Sequence, residues 1–220
     1  MKISTLARLA LIGLVYVYAS KLIDTFYHGL FRPVAFAGII VGLNILAGIA
    51  QLAFFIVLYN YVIARSRKKW QIAAILAIIG SAVGLLPKFI ALAVLLQHPS
   101  LFWFIQHGNQ IGVFSPWLSA FLLMLFTTIF LTDFEIRCNI ILKKAFTAGF
   151  TGWLVMFVSL SFVLTNYFHI NQLVHVFDFT GYGLVIFVTT STTTFICLII
   201  FYYSFIKADL SNGTLTRVNK

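Results

Sequence analysis

The chain has 220 residues, of which 61% are hydrophobic and only 9% charged, against roughly 25% charged residues in a soluble domain. No soluble fold of this length hides so much apolar surface, and Phe alone occurs 24 times. The net charge of +10 would suit nucleic acid, but the basic residues sit in connections between apolar runs, which excludes that partner and makes the lipid bilayer the solvent.

Six apolar runs predict an all-α membrane protein, a six-transmembrane-helix bundle in one domain over 1–220 without a soluble module. The helices are expected at approximately 6–26, 33–64, 71–97, 111–132, 145–167 and 182–206. The first run, Leu6 to Ile23, follows Lys2 and contains Arg8. A cleavable signal ending near Val17-Tyr18-Ala19 is the alternative to a retained helix. The helical pattern continues through Lys21, Asp24 and His28, at i, i+3 and i+7 on one face where Asp24 can pair with either neighbour, and this favours retention.

Pro33 suits the first turn of the second helix. Gly38 with Gly42, and Gly80 with Gly84 in the third run, make small faces suited to close helix packing. Asn44 and Gln51 lie within the second run and need internal partners. Arg65-Ser66-Arg67-Lys68-Lys69 follows as a surface anchor, or alternatively as a site for anionic lipid. Trp70 beside it has the position of an interfacial belt residue.

The third run, Gln71 to Gln97, carries Pro87 and Lys88. Lys88 is the one charge that no membrane surface easily claims, so it needs protein or water around it. Leu101-Phe102-Trp103-Phe104-Ile105 is too short to span and is expected to lie in the headgroup region. A polar connection with Asp133, Glu135, Arg137, Lys143 and Lys144 separates the fourth and fifth runs. Another, with His169, Asn171, His175 and Asp178, precedes the sixth.

With the N-terminus inside, twelve Lys and Arg fall on the inner side and two, Lys21 and Arg32, on the outer. Both termini are therefore expected in the cytoplasm, in a cell membrane of the bacterial inner type. The Asn212-Gly213-Thr214 sequon then faces the wrong side and stays silent. Cys138 and Cys197 show neither pairing nor metal spacing. The two halves share hydropathy only, with no residue-level inverted repeat.

Two constellations bear on function. Asn44, Lys88, Ser119, Ser159 and Thr190 each lie some seven to ten residues inward from an outer helix end, in one layer. Taken singly, the hydroxyls would bond to their own helix, Asn44 would bridge helices, and Lys88 would snorkel outward. Taken together, they describe a polar cavity open to the outside, with Lys88 its charged wall. Pro87 removes a helix hydrogen bond and frees the Val83 carbonyl where a pocket needs room. The second constellation is His28, His98, His107, His169 and His175, all expected on the outer side. Converging imidazoles would make a haem or transition-metal site, although no pair has i, i+4 spacing.

None of the five acidic residues lies in the hydrocarbon, which argues against a carboxylate proton relay. His-Glu-x-x-His, Gly-x-Ser-x-Gly, Cys-x-x-Cys and a phosphate-binding glycine loop are all missing, so no catalytic group is visible. The expectation is a non-enzymatic module binding a small polar or anionic ligand from outside, for sensing or transport. Its alternatives are a redox or metal-handling subunit and an accessory subunit paired with a membrane-protein partner.

Overall fold

Within hydrocarbon the backbone must satisfy its own polar groups, which makes the helix the natural state of each long apolar run. The computed structural model describes residues 2–26, 34–63, 67–96, 102–169 and 182–208. Its helices are α1 (Ile3–Phe26), α2 (Val34–Ile63), α3 (Lys68–Leu96), α4 (Phe102–Leu131), α5 (Phe134–Cys138), α6 (Ile140–His169) and α7 (Tyr182–Lys207). Six of them, all except α5, are long and apolar enough to cross a membrane.

Several helices run further than the apolar runs alone indicate. The segment expected to lie apart in the headgroup region is, from Phe102 onward, the first part of α4. Nothing there stops a helix: the first proline is Pro116, and the two glycines before it, Gly108 and Gly112, cost only about 1 kcal/mol each. The polar link after α4 is likewise mostly helical. The Asp133 carboxylate accepts from the Glu135 amide at 2.9 Å and caps α5. Asn139 then caps α6, its side chain accepting from the amides of Ile141 and Leu142, each at 3.1 Å.

Each long helix packs mainly on its neighbours in chain order, and α7 closes on α1. The result is a ring: α1, α2, α3, α4, α6, α7 and back to α1. The closing seam is pinned by Tyr18, whose hydroxyl shares a 2.6 Å hydrogen bond with Thr192 while its ring stacks on Phe195 at 4.0 Å. With neighbouring axes ~8–10 Å apart, six helices in a ring leave a central space about as wide as another helix. What fills that space differs between the two ends of the bundle.

At the end where α1 begins and α7 finishes, called here the terminal end, aromatic side chains meet across the centre. Phe54 of α2 packs edge-on against Phe201 and Phe205 of α7, with centroids 6.1 and 5.3 Å apart. Phe55 meets Phe126 of α4 at 5.3 Å, and Phe126 reaches Phe201 at 6.5 Å. These pairs join helices that are not ring neighbours, so the phenylalanines serve as the plug of the bundle. All of them are fully buried.

Below this plug, Trp70 departs from the sequence expectation. It is only 1% exposed and belongs to the core rather than to an interfacial belt. Its indole N–H donates to Asp133 at 3.0 Å, and the Arg67 guanidinium lies 4.9 Å above its ring. Arg67 also pairs with Asp133 at 3.4 Å and with Glu135. The start of α3 is thereby tied to the α4–α5 corner, a partner some 63 residues away that no local pattern reveals.

Candidate functional site

Above the aromatic plug the ring centre is open, as a cavity of about 460 Å³ lined by all six long helices. Each helix supplies one stripe at helical spacing. On α1 it is Leu14, Val17, Tyr18 and Lys21; on α3 it is Ser81, Gly84, Leu85 and Lys88. Both read i, i+3, i+4, i+7, one face of a helix. Where the plug has phenylalanine, this level has Gly48, Gly84, Ser119, Ser159 and Ser191, and small side chains leave the centre unfilled.

Gly84 shows how close the walls come, since a Cβ there would stand 2.8 Å from Ser119 Oγ on α4. Pro87 and Pro116 line the same cavity from these two adjacent helices. Each lacks a backbone N–H and leaves one carbonyl of the preceding turn without its helical donor.

The position of Lys88 follows from the register of α2 against α3. Gly38 lies beside Leu95, 3.5 Å from where its Cβ would be, and Gly48 lies beside Leu85. This antiparallel register sets the Lys88 backbone opposite residue 45. Its ammonium, however, lies 2.9 Å from the point a Gly48 Cβ would occupy. The side chain therefore leans three residues, or ~4.5 Å, toward the middle of the bundle rather than toward the nearer helix end. That lean follows from helix geometry, because Cα–Cβ bonds tilt toward the helix N-terminus, which for α3 is the terminal end. Among the described residues no carboxylate pairs with Lys88; the two described ion pairs both belong to Arg67.

Lys21, grouped with the outer surface residues in the sequence, also lines this cavity, near its far mouth. Both lysines thus line one cavity. The expected partner of Lys21, Asp24, and the His28 that could also pair with Asp24, lie outside the described side chains.

Of the layer named from the sequence, Lys88, Ser119, Ser159 and Thr190 line the one cavity. Asn44 does not; it is half-buried, and its side-chain oxygen has no hydrogen-bond partner among the described residues. The hydroxyls of Ser159 and Thr190 donate within their own helices, to Val155 at 2.8 Å and to Ile186 at 2.9 Å. This is the ordinary behaviour of hydroxyls in membrane helices.

The wall residues not singled out as site residues include Gln51, Ser81 and Trp153. Ser81 and Trp153 are 5% and 4% exposed, yet Ser81 Oγ and Trp153 Nε1 have no hydrogen-bond partner among the described residues. Both atoms are buried away from the open space, so these two residues line the cavity through their other atoms. The signal available in the sequence was the stripe, which places Ser81 two turns from Lys88 on the same face.

The histidine constellation falls largely outside the described residues. His28, His98 and His175 are not described, and His107 and His169 are described only as positions on α4 and α6. Comparison with family models, characterised proteins and solved structures finds no match for this chain.

Proposed function

We propose that the six-helix ring is a non-enzymatic membrane module that binds a small polar or anionic ligand from the outer side, for sensing or passage. The observation that carries this reading is the Lys88 ammonium held at mid-depth, leaning inward onto Gly48. A cation at this depth is costly unless something offsets it, and no described carboxylate does so. An anion entering the cavity supplies the missing charge. The aromatic plug closes the terminal end, so entry is from the far end. On the positive-inside reading of the basic connections, that far end faces outward.

The test is calorimetric titration of the protein in phosphatidylcholine nanodiscs with inorganic phosphate, hexanoate and 5-oxohexanoate. At least one should bind saturably, and Lys88→Met should weaken it tenfold or more while Lys88→Arg retains most of the affinity. Binding unchanged in Lys88→Met, or no saturable binding of any of the three, overturns the proposal.

A further inference from the structure

We propose that the lipid-facing groove between α6 and α7, at the terminal end, holds one anionic phospholipid with its phosphate between Lys144 and Lys207. Neither lysine lines the central cavity, so this site stands apart from the one described above.

The register of the two helices brings the lysines to one height. A Cβ on Gly149 would stand 2.7 Å from Phe201, and one on Gly152 would stand 3.0 Å from the Cys197 Cβ. The helices are antiparallel, so this register sets residue 143 opposite Lys207. Lys144 is one residue, or ~1.5 Å, from that level. Azimuth agrees. At ~100° per residue, Lys144 lies about 80° round α6 from Gly152, and Lys207 lies about 80° round α7 from Cys197. Both lysines are exposed, which puts them on the lipid-facing side of the contact. With axes ~8–10 Å apart, two such side chains can close on a single phosphate.

The lysines also sit at headgroup depth. Phe134 and Ile140 are 76% and 83% exposed, more than any other large apolar side chain among the described residues. Both belong in lipid, and Ile140 lies one turn, ~6 Å, nearer the end of the bundle than Lys144. The bilayer surface therefore reaches past Lys144. Lys207 Nζ lies 5.0 Å from the centroid of the exposed Tyr203 ring, an interfacial pairing of cation and aromatic face.

No described carboxylate neutralises these charges, because Asp133 and Glu135 are both held by Arg67. The first turn of α6 has no acidic residue, and Lys143 and Lys144 follow at the positive end of its dipole. An anion in the groove offsets the ammonium charge and the dipole together. The Arg65–Lys69 connection is the lesser candidate, since its Arg67 is already paired.

Toward the middle of the bilayer the groove turns apolar. Lys144, Ala148, Thr151 and Val155 recur at i, i+4, i+7 and i+11 on α6. Lys207, Tyr203, Ile200 and Ile196 repeat that spacing in reverse on α7. The Thr151 hydroxyl donates to the Thr147 carbonyl at 3.0 Å and so asks nothing of a ligand. This strip suits an acyl chain, which makes the anion a lipid rather than a free phosphate ester.

The experiment is native mass spectrometry of the detergent-solubilised protein, titrated with phosphatidylglycerol and with phosphatidylcholine. The first phosphatidylglycerol should bind tenfold or more tighter than phosphatidylcholine. Lys144→Gln with Lys207→Gln should bring the two within twofold, while Lys144→Arg with Lys207→Arg keeps the preference. Lys68→Gln with Lys69→Gln removes equal charge elsewhere at this end and should leave the preference intact. A preference that survives Lys144→Gln with Lys207→Gln, or that falls equally with Lys68→Gln and Lys69→Gln, overturns the site. Glycerol 3-phosphate displacing phosphatidylglycerol at equal concentration overturns the acyl strip and the lipid assignment with it. Thermal melts accompany each variant, and if the paired change fails to fold, Lys144→Gln alone must still reduce the preference at least threefold.

Discussion

Lys88 and Gly48 form a fitted pair across α2 and α3: the ammonium rests where any side chain on the glycine would begin, 2.9 Å from that point. A glycine in the middle of a transmembrane helix gives up helix propensity worth about 1 kcal/mol against alanine. Here it leaves room for the Lys88 ammonium.

Gly48→Ala therefore separates folding from binding. The added methyl meets the far ends of the flexible Leu85 and Lys88 side chains, which can move aside. Overpacking costs about 1–3 kcal/mol and regained propensity returns about 1 kcal/mol, so stability should fall by no more than about 2 kcal/mol. The displaced ammonium should weaken anion binding fivefold or more. Thermal melts beside calorimetric titrations in the same nanodiscs check both halves.

At the other end of α3, Asp133 should matter more than the arginine it pairs with. Arg67 is 41% exposed, and an ion pair so open to solvent contributes on the order of 0–1 kcal/mol. Asp133 also accepts from the buried Trp70 indole and caps α5. Asp133→Ala strands that indole at about 1–3 kcal/mol and removes a cap worth ~1 kcal/mol. Urea or thermal unfolding in detergent should show Asp133→Ala at least twice as destabilising as Arg67→Ala. Equal effects would mean that the ion pair, not the indole and cap, holds the corner.

The plug supplies a third comparison. Phe126→Ala leaves roughly 100 Å³ empty at the ring centre, which at ~24 cal/mol per Å³ costs about 2 kcal/mol. The transfer term familiar from soluble cores is small here, because lipid is as apolar as the core. Phe114, on the same helix but 48% exposed, should tolerate alanine within about 0.5 kcal/mol. Melts of the two variants in one detergent test this, and similar losses would show that the centre is not what the phenylalanines hold.

The six crossings were legible because each is a long run of apolar residues, a property that survives without knowledge of neighbours. The common depth of Lys88, Ser119, Ser159 and Thr190 was legible for the same reason, since rise per residue fixes height. Azimuth was not. Asn44 shares the height but not the wall, and Lys21 faces the cavity although its position near a helix end reads as surface. Trp70 was misread because its neighbours are basic, while its burial depends on Asp133, remote in the chain. Ser81 and Trp153 carry no charge, and their burial without hydrogen-bond partners among the described residues is visible in three dimensions alone.

The seam between α1 and α7 has a genetic corollary. Because the first and last helices of this barrel touch, its circular order has no built-in starting point. A rearranged reading frame that fused the two tails and opened the chain between α3 and α4 would encode the same set of adjacencies. Such a permuted polypeptide should assemble as the parent does, with the Tyr18–Thr192 bond now internal to a hairpin.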